Sequence, residues 1–312
     1  MPHVSVILPV RNGATTLSDA LASILACDEV GEVIVVDDGS NDGSAEIVRG
    51  TKDARLRVVA GPCSGISAAF NVGLQAATLE YVVRCDADDR IVGDNLVSKR
   101  SWLAAHPDYV AVSGAYGTMT SKGRALVDFA NEGTPRDVTE TLRGGGTLTH
   151  FGSWLIRRRT LLEIGGARTW FTTAEDLDLQ FRLAGRGLVW HDPQLSYVYR
   201  LHEASITHTS SQGSLTFYET TARRLARQRQ ENGRDDLEIG HHLEISSDTP
   251  SDTTTMLVQK QVAGQLEGTA WRRHKEGYWG EALRLLIRSI FFDPCDARRW
   301  RGLAAMTLSF KK

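Results

Sequence analysis

The first 90 residues alternate strand-type and helix-type patterns, and that alternation leaves few folds open to the chain. Val4–Leu8, Glu32–Val36, Leu56–Ala60 and Tyr81–Cys85 are short runs rich in β-branched and other apolar residues. Between the first two, Leu17, Ala20, Leu21, Ile24 and Leu25 fall at helical spacing, with Thr15 or Thr16 as the cap. A second helix is expected near Ser44–Arg49. Ile66, Ala69, Phe70, Gly73, Leu74 and Ala77 mark one face of a third. Strands apolar on both faces belong inside a sheet covered on both sides, and parallel neighbours need helical crossovers. The order β-α-β-α-β-α-β therefore predicts an α/β fold with a mostly parallel sheet and helices on both faces. In such sheets ligands bind beyond the carboxyl ends of the strands. Arg11-Asn12, Asp37-Asp38 and the stretch Asp86 to Asp89 lie at those ends.

The remainder is less regular. Tyr109–Tyr116 and Gly187–Trp190 read as strands, Gly144-Gly145-Gly146 as a flexible link, and Glu175–Ala184 as a short helix. Residues 214–232 read as a charged helix. Residues 240–255, rich in Ser, Thr, Asp and His, read as a linker. After that, Ala282, Leu283, Leu286, Ile287, Ile290 and Phe291 form a helical stripe that Pro294 ends, and the tail is expected to be a helical hairpin docked on the main domain.

Composition narrows the partners. A net charge of -2 gives no case for nucleic acid. From Leu266 onward, ten Lys/Arg face five Asp/Glu, a local +5. Such a tail either lies against an anionic membrane surface or is a solvated helix face. No run of 18 apolar residues is present, so no spanning helix is expected. Met1-Pro2-His3 leads straight into a strand, unlike a secretory leader. Cys27, Cys63, Cys85 and Cys295 have neither metal-ligand spacing nor the density of a disulfide framework, so a cytoplasmic location is expected, at most peripheral to the inner face of a membrane.

Several carboxylates converging on one sheet edge repel each other unless a cation sits among them. A hard divalent ion with oxygen ligands answers that need and commonly bridges carboxylates to substrate phosphates. A D-x-D triplet alone says little. Placed after a buried strand, and after an earlier strand ending in Asp-Asp-Gly-Ser, it says more.

The segments VSVILPVRNG (4–13), VIVVDDGSNDGS (33–44), GISAAFNVGL (65–74), YVVRCDADD (81–89), FGSWLIRRRTLLEIGG (151–166), EDLDLQFRLAGRG (175–187) and YRLHEASIT (199–207) resemble, in order and spacing, glycosyltransferase family 2. The resemblance implies the Rossmann-like GT-A fold over 1–210, divided into a nucleotide-binding half (1–90) and an acceptor half (91–210). A helix and linker (211–255) and a C-terminal helical extension (256–312) follow. It implies that Pro9, Val10 and Arg11 line the nucleotide pocket, that Asp38 bonds the base, and that Gly65 and Asn71 flank base and ribose. Asp86, with Ala87 beside it, meets the ribose or diphosphate. Asp88 ligates Mn²⁺ or Mg²⁺, with His202 near metal and diphosphate. Asp176, paired with Glu175, matches the catalytic base.

Two positions depart from the family. Arg11 stands where many relatives carry an aromatic, although a guanidinium also stacks. Phe70 stands where relatives often carry arginine. The Gln-x-x-Arg-Trp motif of processive synthases is not reproduced by Gln180-Phe181-Arg182, which points to single-sugar addition. The implied reaction is transfer from a nucleotide-diphosphate sugar, UDP-sugar favoured over GDP or dTDP, to a hydroxyl of a glycan or glycolipid. A metal stabilises the leaving diphosphate, and a carboxylate takes the acceptor proton, with inversion at the anomeric carbon.

Plainer readings stand beside these. Asp37 or Asp38 can cap a turn, Asp89 a helix, and Glu175 can favour its helix N-terminus. His202 can be a hydrogen-bonded structural residue, and His150 and Trp154 either line the acceptor pocket or pack. Arg157 to Arg159 read as surface charges. Two rivals remain: a sugar nucleotidyltransferase, which would carry a Gly-rich basic phosphate loop where Pro9-Val10-Arg11-Asn12-Gly13 stands, and a non-catalytic sugar-nucleotide-binding scaffold.

Overall fold

The computed structural model describes residues 3–128, 134–147, 149–202, 212–241, 243, 258–275 and 277–309. In chain order the elements are β1 (Val4–Val10), α1 (Leu17–Leu25), β2 (Val30–Asp37), α2 (Ser44–Gly50), β3 (Leu56–Ala60), α3 (Ile66–Ala76), β4 (Tyr81–Arg84), β5 (Arg90–Ile91) and α4 (Leu96–Ala105). Then come β6 (Tyr109–Thr120), β7 (Ala125–Asp128), β8 (Arg136–Asp137), α5 (Thr139–Arg143), β9 (Leu155–Arg157), α6 (Arg158–Glu163), α7 (Glu175–Ala184) and β10 (Leu188–Leu201). Four described helices follow: α8 (Gln212–Asn232), α9 (Val258–Lys275), α10 (Trp279–Phe292) and α11 (Ala297–Ser309). Residues 1–200 with 214–249 form one compact unit, and 201–213 with 250–312 another.

The sheet of the first unit runs β3-β2-β1-β4-β9-β6-β10-β5. Its first four strands pair in parallel; β9 joins β4 and β6 antiparallel. The path from β1 through β2 to β3 steps one way along the sheet, and the step from β3 to β4 goes back the other way. Right-handed crossovers then put α1 and α2 on one face and α3 on the opposite one. The core matches: Ile7, Ile34 and Val36 pack with Ala69, Phe70 and Leu74 of α3. β1 lies between β2 and β4, so the reversal of direction opens a crevice at the carboxyl ends of β1 and β4.

Departures from the sequence reading are local. The strand expected at Gly187–Trp190 runs fourteen residues, to Leu201. Asp192, Pro193 and Gln194 interrupt its apolar pattern and hide its second half, where Tyr197 and Leu201 are buried. The Gly144–Gly146 stretch is a helix cap: Gly145 N–H donates to Leu142 O at 3.0 Å and Gly146 N–H to Thr141 O at 2.9 Å, closing α5. Thr16 precedes α1 without a side-chain cap bond. α8 packs Tyr218, Ala222, Leu225 and Ala226 against Phe171 and Phe181. The linker expected at 240–255 lies mostly outside the described residues, as does 203–207 of the last matching segment.

The second unit holds three described helices where a hairpin was expected. Ala270, Ala282, Leu286 and Met306 form its core, and Ser289 Oγ donates to Ala263 O at 2.8 Å. Of the α10 stripe, Ala282, Leu286 and Ile290 are buried, but Ile287 is 52% and Phe291 85% exposed. Among the described residues no helix is long and apolar enough to cross a membrane.

Candidate active site

Three loops meet at the carboxyl ends of β1, β2 and β4. The turn after β1 is stitched to the turn after β2. Asn12, at φ 55°, accepts from Asn41 N–H through Oδ1 at 2.9 Å, while its own N–H and those of Gly13 and Ala14 bond Ser40, Ser44 and Asp42. Pro9 and Val10 are buried in β1 and Arg11 is exposed beside them. Asp37 Oδ1 accepts from Ser40 N–H at 2.8 Å, the turn-capping role. Asp38, 3% exposed, accepts from Gly65 N–H at 2.9 Å and Ser64 N–H at 3.3 Å, and so fixes the entry to α3. Asn71 turns its carboxamide to another task. Its Nδ2 donates to Ala167 O at 2.7 Å and its Oδ1 accepts from Ala167 N–H at 2.8 Å.

The loop after β4 is built around a buried arginine. Arg84 Nε is 2.7 Å from Asp86 Oδ1, and Nη1 is 2.8 Å from Glu175 Oε1. Burial works to raise the Asp86 pKa, but the charge and hydrogen bonds of Arg84 outweigh it and lower it. Asp89 is fully buried. Its carboxylate accepts from Tyr197 Oη at 2.6 Å and from Arg200 N–H at 2.7 Å. Burial, then the charges of Asp88 and Asp86, push it well above the carboxylate range. Arg200 also holds the Asp88 carbonyl, at 2.5 Å from Nε, and reaches Asp19. The Tyr197 ring stacks on His150 at 4.8 Å, so close to Gly152 that a Cβ there would lie 2.4 Å from the ring.

α7 brings in the second carboxylate pair. Ala174, just before it, sits at φ 57°, a left-handed conformation costly for a residue with a Cβ. It turns Glu175 onto Arg84 and leaves Asp176 half-buried at the helix start, with Oδ1 accepting from Leu177 N–H at 2.9 Å. Burial and the Glu175 charge raise the Asp176 pKa to about 7, against the opposing pull of Arg84. A carboxyl group poised near neutrality can exchange a proton with a hydroxyl.

Ligand-type atoms of Asp86, Asp89 and His150 lie within 4.8 Å of one another. The group differs from the pair Asp88 and His202 read from sequence. Asp88 lies in the same loop, and His202 follows directly on β10. The carboxylates suit a hard cation: burial and then the charges of Asp88 and Asp86 push the Asp89 pKa up, and a divalent ion would relieve that crowding of negative charge. His150 suits it less. Its Nδ1 accepts from Gly152 N–H at 3.2 Å, which leaves the proton of the neutral ring on Nε2 and no free lone pair. Burial lowers its pKa to about 4.

The structure thus gathers Pro9, Val10, Arg11, Asp38, Gly65, Asp86, Ala87, Asp88, Glu175 and Asp176 around the crevice by their strand and helix ends. From sequence, Arg84, Tyr197 and Arg200 carry no role, and Asp89 reads as a helix cap and not as a ligand. An arginine inside an otherwise apolar strand was the available signal for Arg84, since a buried charge needs a partner.

Comparison with known proteins fits this geometry. The profile of glycosyl transferase family 2 matches residues 5–165. An uncharacterized glycosyltransferase of Haemophilus influenzae is 36% identical over 130 residues, 40% of this chain and 52% of that protein. The succinoglycan biosynthesis protein ExoU of Rhizobium meliloti is 35% identical over 127 residues, 39% of this chain and 37% of that protein. The chain thus spans about half or less of these relatives. Among solved structures, S. aureus TarS 1-349 in complex with UDP-GlcNAc is similar at TM-score 0.59 and 18% identity, covering 94% of this chain and 81% of that one.

Proposed function

The chain belongs to glycosyl transferase family 2, and we propose that it is a metal-dependent, inverting glycosyltransferase. It moves one sugar from a nucleotide-diphosphate sugar to a hydroxyl of a glycan or glycolipid. The observation that carries the reading is Asp176: a half-buried carboxyl with a pKa raised to about 7, on a helix start tied through Glu175 to Arg84 and the loop after β4. A TarS structure with UDP-GlcNAc supports a UDP-sugar as donor.

In this reading Pro9, Val10, Arg11, Asp38 and Gly65 bind the nucleotide at the β1–β4 crevice. Asp38 spends one lone pair of each oxygen on the Ser64-Gly65 turn and keeps others for a base N–H. Asp86, held by Arg84, faces the ribose or diphosphate. Asp88, with the neighbouring carboxylates, is the place for Mn²⁺ or Mg²⁺. When bound there, the ion supplies positive charge to the leaving diphosphate. Asp176 accepts the proton of the acceptor hydroxyl as its oxygen attacks the anomeric carbon from the side opposite the diphosphate. The new glycosidic bond forms as the bond to the diphosphate breaks, and configuration inverts. Because the diphosphate leaves without protonation, one carboxylate suffices.

A glycolipid acceptor is in keeping with exposed Ile287 and Phe291 on α10 near Arg284, a face suited to peripheral contact with an anionic membrane. The test is a panel of nucleotide-sugars with Mn²⁺, read by thermal shift and by donor hydrolysis. One donor should raise the melting temperature by mass action, and Asp176→Asn should keep that shift while losing roughly 10²–10⁴ in turnover. Binding without hydrolysis or transfer for every donor would favour a scaffold.

A further inference from the structure

A cavity of about 760 Å³ lies in the first unit between the C-terminal end of α7 and α8. Glu175 and Asp176 are at the other end of α7, a helix of ten residues and so about 15 Å long. Five arginines line the cavity: Arg143, Arg182, Arg186, Arg229 and Arg234.

Their charges are unevenly answered. Arg182 Nε is 2.8 Å from Asp178, and Arg229 reaches Asp235. Arg168 shares the same two aspartates and faces Glu238 at 3.5 Å, so three arginines meet three carboxylates. Arg143 pairs with Glu140 at 2.7 Å. The acidic residues of the lining are engaged as well. Glu163 pairs with Arg159 at 2.7 Å, and Glu238 accepts from Asp235 N–H at 3.1 Å. Among the described residues, the Arg186 and Arg234 side chains have no such partner. Arg229 Nη2 is buried with no acceptor. Two positive charges and a buried guanidinium donor are therefore left facing one concave space.

We propose that this cavity binds a phosphate-bearing ligand, separately from the nucleotide-sugar. Guanidinium forks match the oxygens of a tetrahedral oxyanion, and a buried unpaired donor gains most from an ionised acceptor. The volume is that of a small-molecule site, and a lone phosphate fills only a fraction of it. The expected ligand is a phosphomonoester on a small organic body, of which inorganic phosphate is the minimal form.

The probe is [³²P]phosphate in equilibrium dialysis at fixed ionic strength, with the full chain and with the double variant Arg186→Gln/Arg234→Gln. Both residues are exposed, and a matching melting temperature checks that the variant is folded. The wild type should bind one equivalent more than the variant. Competition by glycerol 3-phosphate at lower concentration than unlabelled phosphate identifies the phosphomonoester, and equal or weaker competition identifies the free ion. Equal stoichiometry in wild type and variant, or label displaced as well by chloride as by phosphate, overturns the proposal. Phosphate in the nucleotide crevice would count equally in both proteins, so the difference is independent of the function proposed above.

Discussion

Arg84, on β4, and Glu175, at the start of α7, form a buried ion pair at 2.8 Å across 91 residues of chain. Removing one partner of such a pair leaves an uncompensated buried charge, here two, because Asp86 shares the guanidinium. Arg84→Gln is therefore expected to cost about 3–5 kcal/mol of stability. Chemical denaturation measures it, and a loss under about 1 kcal/mol would show the pair to be solvated.

The pH profile of the proposed reaction follows from Asp176. Burial and Glu175 raise its pKa to about 7, and a base works only deprotonated. The apparent kcat/KM should rise with pH through a midpoint near 7 and flatten above it. The midpoint belongs to the coupled carboxylates together. Arg84 pulls it down, so any folded Arg84 variant should move it to higher pH. A midpoint below about 5, near the range of an ordinary carboxylate, would remove Asp176 from the role.

Lys99, on α4, is 1% exposed and donates to Ser153 O at 2.7 Å and Ser196 Oγ at 2.6 Å. Burial lowers its pKa from 10.5 to about 7. Below pH 7 both folded and unfolded chains hold the proton. Between about 7 and 10.5 the unfolded chain holds it and the folded one has released it, so stability rises with pH across that window. Lys99→Met should flatten this rise, seen as a smaller difference in melting temperature between pH 7 and pH 9. An unchanged difference would place the ammonium in water.

These residues also mark how far sequence carries. The parallel half was legible because buried strands and amphipathic helices write their periods into the chain: Val4–Val10 and Ile66–Ala76 fall where the pattern puts them. The antiparallel half was legible only in part: the strand from Tyr109 and the helix Glu175–Ala184 fall where expected, but the full length of β10 does not. β10 reads as broken at Pro193, yet it delivers Tyr197 and Arg200 to the acidic loop. Asp89 shows the same limit: its partners lie 108 and 111 residues away, and nothing local announces them. Asn71 shows another. A motif position names a residue but not its bonding, and its carboxamide is spent on Ala167.

Metal removal separates the carboxylates of the loop after β4. EDTA should abolish transfer, and Mn²⁺ should restore it. Asp88→Ala should lose metal-dependent donor binding, read as loss of the Mn²⁺-induced increment in the thermal shift given by the donor. Asp89→Asn should instead lower stability by roughly 1–3 kcal/mol, through its bonds to Tyr197 and the Arg200 amide. Metal-dependent binding left intact in Asp88→Ala would move the ion to Asp86 and Asp89.

The paired bonds between Asn71 and Ala167 bear on engineering. A carboxamide matched to both peptide groups of one residue works as a latch, and it holds the Gly165-Gly166 turn against α3 with so little clearance that a Cβ on Gly166 would come within 2.2 Å of Asn71 Oδ1. The N-terminal 90 residues are therefore not an interchangeable cartridge. A chimera that grafts them onto another acceptor half must bring the latch and its turn together, or lose the alignment that sets Asp176, the proposed base, beside the proposed donor crevice.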